Sequence, residues 1–287
     1  MGNIINLDVS LNRCTLSVEF FLDDIFIKGR TMSELFSLEG KKGLIIGIAN
    51  KQSIALGCAR LMKAAGAELA ITYLNERSDK YVKPFAEELE APIYMPCDVQ
   101  QPGELEAVFA EIEKKWGKLD FLVHSIAFAS KDDLHGRLVD CSLEGFQLAM
   151  DVSCHSLMRM TRLAEPLMKD GGSVLSMSYL GSERAVENYG AMGPVKAALE
   201  SATRYMAHEL REKNIRVNCV SPGPIKTRAA SGIKDFSELL GSVGDKIPNY
   251  DVTPEDVGAI STFLVTDAAK AFTGYVYYVD EGYSTLG

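Results

Sequence analysis

The chain has 287 residues, 47% hydrophobic and 24% charged, enough for one large α/β domain or, less readily, two small ones. A formal net charge of −9 excludes general nucleic-acid binding, and no apolar run reaches the length of a membrane span. Six cysteines (Cys14, Cys58, Cys97, Cys141, Cys154, Cys219) without C-x-x-C spacing read as reduced thiols of a cytoplasmic protein. His124, His135, His155 and His208 form no ligand-spaced cluster with them, so no metal is assigned.

Residues 1–31 differ from the rest. Val18-Glu19-Phe20-Phe21-Leu22 is apolar but is followed by Asp23 and Asp24 and lacks a basic segment before it, against a signal peptide. Gly2 follows Met1, but Asn6 stands where N-myristoylation wants serine or threonine. The fold is expected to begin near 36–40, just after the internal Met32. That leaves 1–31 as an extension from an upstream start codon, or as a short edge element on a domain spanning 32–287.

Beyond this point strands and helices alternate. Residues 42–49, Lys42-Gly43-Leu44-Ile45-Ile46-Gly47-Ile48-Ala49, read as a buried parallel strand. Asn50-Lys51-Gln52-Ser53-Ile54-Ala55 opens a helix expected over 55–65 and stopped by Gly66. Such a turn can hold a pyrophosphate on helix N–H groups, although G-x-G-x-x-G is absent and an ordinary β–α connection reads the same way. Strands follow at 67–73, 92–97, 119–124, 173–178, 216–220 and 275–279. Helices are expected at 78–89, at 102–116 with Pro102 near its start and Gly117 at its end, at 143–168, at 189–212, and after Thr253-Pro254-Glu255-Asp256. This alternation predicts a single doubly wound, Rossmann-type domain with a mostly parallel seven-stranded sheet. Gly47, Asp98, Ser125, Tyr179 and Ser221 fall at carboxyl ends of strands, where such sheets bind ligands.

The most informative segment is Ser178-Tyr179-Leu180-Gly181, with Tyr189 and then Lys196. On one helix, Tyr189 and Lys196 would share a face roughly 10 Å apart along the axis, and the lysine would lean back toward the phenol. A cation there favours the ionised phenol, whose ordinary pKa is about 10, and makes a proton-donating, oxyanion-binding pair.

Together these residues resemble the short-chain dehydrogenase/reductase superfamily, and more closely its divergent branch, the bacterial type I enoyl-acyl-carrier-protein reductases. The resemblance runs from about Phe36 to Gly287. It rests on Gly47-Ile48-Ala49 with Ser53-Ile54-Ala55, on His124-Ser125-Ile126-Ala127-Phe128-Ala129, and on Tyr189 with six residues before Lys196. It implies NADH as cofactor, with Gly47, Ser53 and Ile54 on the pyrophosphate turn and Asp98 and Val99 at the adenine. Ile126 would lie by the adenosine ribose, Lys196 on the nicotinamide ribose, and Ile225 at the nicotinamide amide within a segment that ends at Thr227, also assigned to the cofactor. Tyr189 would bind the thioester carbonyl, Tyr179 would stand beside the substrate, and Ala129, Met192 and Phe236 would line an apolar acyl pocket. For Asp98 an N-cap of the next helix is the alternative, for Met192 and Phe236 ordinary packing.

Three sites depart from the family's commonest pattern: Leu74 for a ribose-binding glutamine, Ala127 for a glycine beside the pocket, and the pair Ser237 and Glu238 for basic residues. The resemblance implies reduction of enoyl thioesters on acyl carrier protein in fatty acid elongation, by a homotetramer paired through helices 143–168 and 189–212. Another short-chain reductase and a silent NAD sensor are the alternatives. Residues 227–246, with Gly232, Gly241 and Gly244 among Phe236, Leu239 and Leu240, are expected to form a substrate lid.

Overall fold

The computed structural model describes residues 31–286, so the readings of a signal peptide, an acylation site and an extension lie outside it, apart from Thr31. Seven strands, β1 (Lys42–Ile46), β2 (Glu68–Tyr73), β3 (Ile93–Pro96), β4 (Phe121–His124), β5 (Gly172–Met177), β6 (Ile215–Pro222) and β7 (Val276–Val279), form one sheet. Their order is β3-β2-β1-β4-β5-β6-β7, and every pair is parallel rather than mostly so. The helices are α1 (Met32–Phe36), α2 (Ile54–Ala64), α3 (Glu76–Glu88), α4 (Glu104–Trp116), α5 (Lys131–His135), α6 (Leu143–Met150), α7 (Ser156–Ala164), α8 (Met192–Glu209), α9 (Phe236–Lys246) and α10 (Pro254–Val265).

Alternate residues of each strand enter different cores, which is why the strands read as nearly continuous apolar runs. Leu44, Ile46, Leu122, Val174 and Val217 face a core shared with α4, α6, α7 and α8. Ile45, Leu69, Ile71, Val123, Leu175 and Val220 face one shared with α2, α3 and α10.

On that second face α2 and α10 meet backbone to backbone. A Cβ at Gly57 would lie 2.2 Å from Pro254 O, and one at Gly258 2.6 Å from Gly57 O. Alanine in a helix gains about 1 kcal/mol over glycine, but an overpacked contact costs about 1–3 kcal/mol, so these glycines are steric requirements. α10 starts as its sequence foretells, with Thr253 and Asp256 in a reciprocal capping box and Pro254 in the first turn.

Three helices differ from expectation. The helix expected over 143–168 is broken into α6, a π-turn over Asp151–His155, α7 and a 3-10 turn over Glu165–Leu167. The helix expected from Tyr189 starts only at Met192, because Asn188 and Gly190 take positive φ values of 58° and 20°. Pro102 lies outside α4, whose N-cap position is Gly103 in the left-handed region. α5 carried too little periodicity to be expected, being five residues long.

Candidate active site

The sheet reverses its order between β1 and β4, the kind of point at which such sheets bind their ligands. Gly47 follows β1 with φ +120°, and a Cβ there would come within 2.0 Å of Ser125 O, just past β4. Only glycine lets the two strand ends close up. The turn after Gly47 is pinned by Ser53, whose Oγ accepts the Ala49 and Asn50 N–H groups at 3.0 and 3.1 Å. The Ser53 side chain is thereby spent on the turn, and α2 begins with no side-chain cap and no acid in its first turn. By contrast α3, α4 and α10 all carry acids there. An uncapped helix start without local negative charge suits an anion such as a pyrophosphate.

Past β3, Asp98 does not cap α4. Its Oδ1 accepts the Gln100 N–H at 3.0 Å while its own N–H goes to Glu104 Oε2 at 2.7 Å, so it shapes a turn at the sheet edge. Val99 is buried, and its carbonyl accepts Arg159 Nη1 at 2.8 Å. Past β4, Ile126 and Ala129 pack half-buried on the α8 side, whereas Ala127 is exposed, so its methyl is not crowded here. The loop is tied to the π-turn by Ser153, which accepts Phe128 N–H at 2.9 Å and donates to Phe128 O at 3.2 Å. Met192 is a core residue beside that serine rather than a free wall, with Sδ 3.9 Å from Ser153 Oγ.

Tyr189 sits on the turn ahead of α8, so the helical i, i+7 relation to Lys196 does not hold. The turn docks on α5: Ala191 N–H donates to Asp133 O at 3.0 Å, and a Cβ on Gly190 would meet that oxygen at 2.4 Å. The Asp133 carboxylate in turn collects Ser130 Oγ and Ser142 N–H, which hold it down at about 2. The Tyr189 ring rests on Gly181, where a Cβ would reach its Cδ1 at 2.5 Å, and packs edge-on to Tyr179 with centroids 4.9 Å apart. Burial raises both phenols well above the ordinary range. The expected acidification of Tyr189 by Lys196 is therefore absent: the phenol stays protonated at neutral pH, a hydrogen-bond donor.

Lys196, only 4% exposed, donates from Nζ to Met177 O at 2.6 Å, at the end of β5. Burial pulls its ammonium down to about 8, against the pull of Cys219, Cys154 and Glu200 toward the charged form. Nearby His124 bridges Ser176 and Ser156 at 2.9 and 2.8 Å. Ser156 gives its proton to Val152 O at 2.7 Å, so Nε2 must donate to Ser156 and Nδ1 must accept from Ser176. Burial and Lys196 press this imidazole down to about 3, leaving it a neutral core bridge.

Ile225 is buried, Thr227 N–H turns back to Ile225 O at 2.8 Å, and Thr227 Oγ1 accepts Ala230 N–H at 3.0 Å. Phe236 opens α9, half-buried. Sequence reasoning missed Ser153, Asp133 and above all Glu200, a carboxylate four residues after Lys196 and 5% exposed. Its signal was an acid on the same face of α8 as the lysine.

The Lys196 shift has a stability consequence. Unfolded, the ammonium titrates near 10.4, so between about pH 8 and 10 the unfolded chain binds the extra proton and folding gains as pH rises. Urea unfolding of the cofactor-free protein and of Lys196→Met should show the difference moving toward wild type by about 2 kcal/mol from pH 7 to 10. A difference flat in pH would refute the shift.

A family model described as enoyl-(acyl carrier protein) reductase matches residues 47–284. The NADH enoyl-acyl-carrier-protein reductase FabI of Rickettsia felis is 47% identical over 251 residues, covering 87% of this chain and 96% of that one. The counterpart from Nostoc sp. is 44% identical over 257 residues, covering 88% and 100%. Among solved structures, the Anaplasma phagocytophilum reductase in complex with NAD is 44% identical with a TM-score of 0.83, covering 87% of this chain and 96% of that one. The Bacillus cereus enzyme, solved with NADP+ and an indole naphthyridinone, is 42% identical with a TM-score of 0.85, covering 88% and 99%. With the strand order, the switch-point glycine and the Tyr179–Tyr189 pair, these likenesses place the chain in the enoyl-(acyl carrier protein) reductase family.

Proposed function

We propose that the chain reduces the 2,3 double bond of trans-2-enoyl thioesters on acyl carrier protein with NADH, completing an elongation cycle of fatty acid synthesis. The observation that carries this reading is the buried Tyr189 ring packed edge-on against Tyr179, just past the carboxyl end of β5. A dinucleotide fits the residues present: the Gly47 cradle and uncapped α2 suit a pyrophosphate, and Tyr179 Oη and Ser221 Oγ are buried polar atoms without a protein partner among the described residues. Gly47, Ser53 and Ile54 would hold the pyrophosphate, Asp98, Val99 and Ile126 the adenosine, Lys196 the nicotinamide ribose, and Ile225 and Thr227 the nicotinamide. When bound, NADH supplies the hydride for the β carbon. Tyr189 donates a hydrogen bond to the thioester carbonyl as negative charge gathers on its oxygen, and its stack on Tyr179 and Gly181 keeps that donor aimed. Ala129, Met192 and Phe236 are assigned to the acyl side.

At the adenosine end the Asn75 side chain is spent on capping Arg77 and Ser78 N–H, and exposed Leu74 and Glu76 bring no cation for a 2′-phosphate, the nearest being the exposed Arg77 in the first turn of α3. Following NADH absorbance with crotonyl-CoA tests the activity. Turnover with NADH should exceed that with NADPH, and Tyr189→Phe should lower kcat by about 100- to 1,000-fold with NADH affinity kept. Unchanged turnover in that variant would move the proton donor elsewhere.

Residues 227–246 are proposed as the lid. α9 buries only Val243, and the segment is tied to α5 by His135 Nε2, 2.6 Å from Gly232 O. Hydrogen exchange there should slow when NAD and an acyl ligand are both bound; equal exchange in both states removes the lid.

The chain is further proposed to work as a cytoplasmic homotetramer. Among the described residues no helix is long and apolar enough to cross a membrane. Met158 and Tyr205, on α7 and α8, expose apolar surface on the paired helices, with Tyr205 69% exposed. Light scattering at micromolar concentration should return four chains, and a monomer mass would reject the assembly.

A further inference from the structure

Glu200 takes no part in the chemistry above, yet it is a nearly buried acid in the middle of the site. Its Oε1 accepts hydroxyl hydrogen bonds from Ser178 and, at 2.6 Å, from Ser182. These serines bracket Tyr179. Among the described residues no ion pair joins Glu200 to Lys196, whose ammonium is turned to Met177 O. α8 therefore grips one stretch of chain twice on one face: Lys196 holds Met177, and Glu200 holds Ser178 and Ser182.

Between those grips, nothing polar fixes the Tyr179 phenol, because its Oη is buried without a protein partner. The ring's aim is set by its backbone and by its edge-on contact with Tyr189. That backbone is a tight turn, with Ser182 N–H on Tyr179 O at 2.9 Å and Arg184 N–H on Leu180 O at 3.1 Å. Bonds from hydroxyls to a carboxylate are short and strong, and a turn that swung away would strand the acid unpaired in the interior.

We propose that Glu200 is a positioning residue for the reaction, holding Tyr179 against Tyr189 through Ser178 and Ser182. This rests on the reductase reading above. The test is a cycle of Glu200→Leu, Tyr179→Ala, which removes the ring, and the double variant, measured with crotonyl-CoA and NADH, with NADH affinity by fluorescence titration. Glu200→Leu should lower kcat roughly tenfold, the scale of a small misplacement of a reacting group, with NADH affinity within about twofold of wild type. Glu200→Gln should recover most of the loss, because its amide oxygen can accept both hydroxyls. In the Tyr179→Ala background, where no ring is left to hold, Glu200→Leu should cost almost nothing further. An equal loss in both backgrounds, or NADH affinity falling in step with kcat, overturns the proposal.

Should Glu200→Leu fail to fold, Ser182→Ala removes one grip without stranding a charge, and a smaller loss that vanishes in Tyr179→Ala is expected. Hydrogen exchange gives a readout free of activity: the Ser182, Glu183 and Arg184 amides should exchange faster in the variant, and unchanged protection there also overturns it. A wild-type chain inactive on crotonyl-CoA would defeat the reductase reading, whereas an active wild type with independent effects defeats only the role of Glu200.

Discussion

Everything at the site leans on a buried ammonium. Lys196 gives up most of its hydration, and its recompense is one carbonyl at the end of β5, with thiols and a carboxylate nearby favouring its charge. That arrangement works only while α8 lies at a fixed height against the sheet edge. The same height places the Tyr189 turn on Asp133 and brings Glu200 under the Ser178 and Ser182 hydroxyls. One unfavourable desolvation is thus shared among contacts that all require the same docking of one helix.

Most of the architecture could be read from the chain because its signals were local. Apolar runs announced the strands, the first of them ending at Gly47, Gly66 and Gly117 announced helix ends, and the Thr253 to Asp256 box announced α10. The start of α8 was not legible, since the turn before it, with Asn188 and Gly190 at positive φ, docks on α5 through a tertiary contact of Ala191 with Asp133. The π-turn over Asp151–His155 carries no Pro or Gly, whereas Pro166 does mark the 3-10 turn that ends the run. At the π-turn Ser153 is tied to Phe128, a contact that no window of sequence contains.

The site divided along the same line. Gly47, Ser53, Tyr179, Tyr189 and Lys196 could be picked out by type and spacing. The polar residues that hold them could not, because Glu200, Asp133 and Ser153 look like solvated helix or loop residues until the fold buries them. The phenol's acidity does not follow from spacing alone: burial and the neighbouring Tyr179 raise Tyr189, which favours the donor form.

The glycine crossing of α2 and α10 bears on how such a protein comes into being on the ribosome. The helix that opens after Gly47 is backed by Pro254 and Gly258, far along the chain from it. Its start therefore lacks its rear support until synthesis has passed α10. An N-terminal fragment holding β1, β2 and α2 would own the phosphate turn in sequence while leaving the back of α2 uncovered. Nascent chains of this kind expose that apolar face late into synthesis, and protection by a chaperone is worth most there.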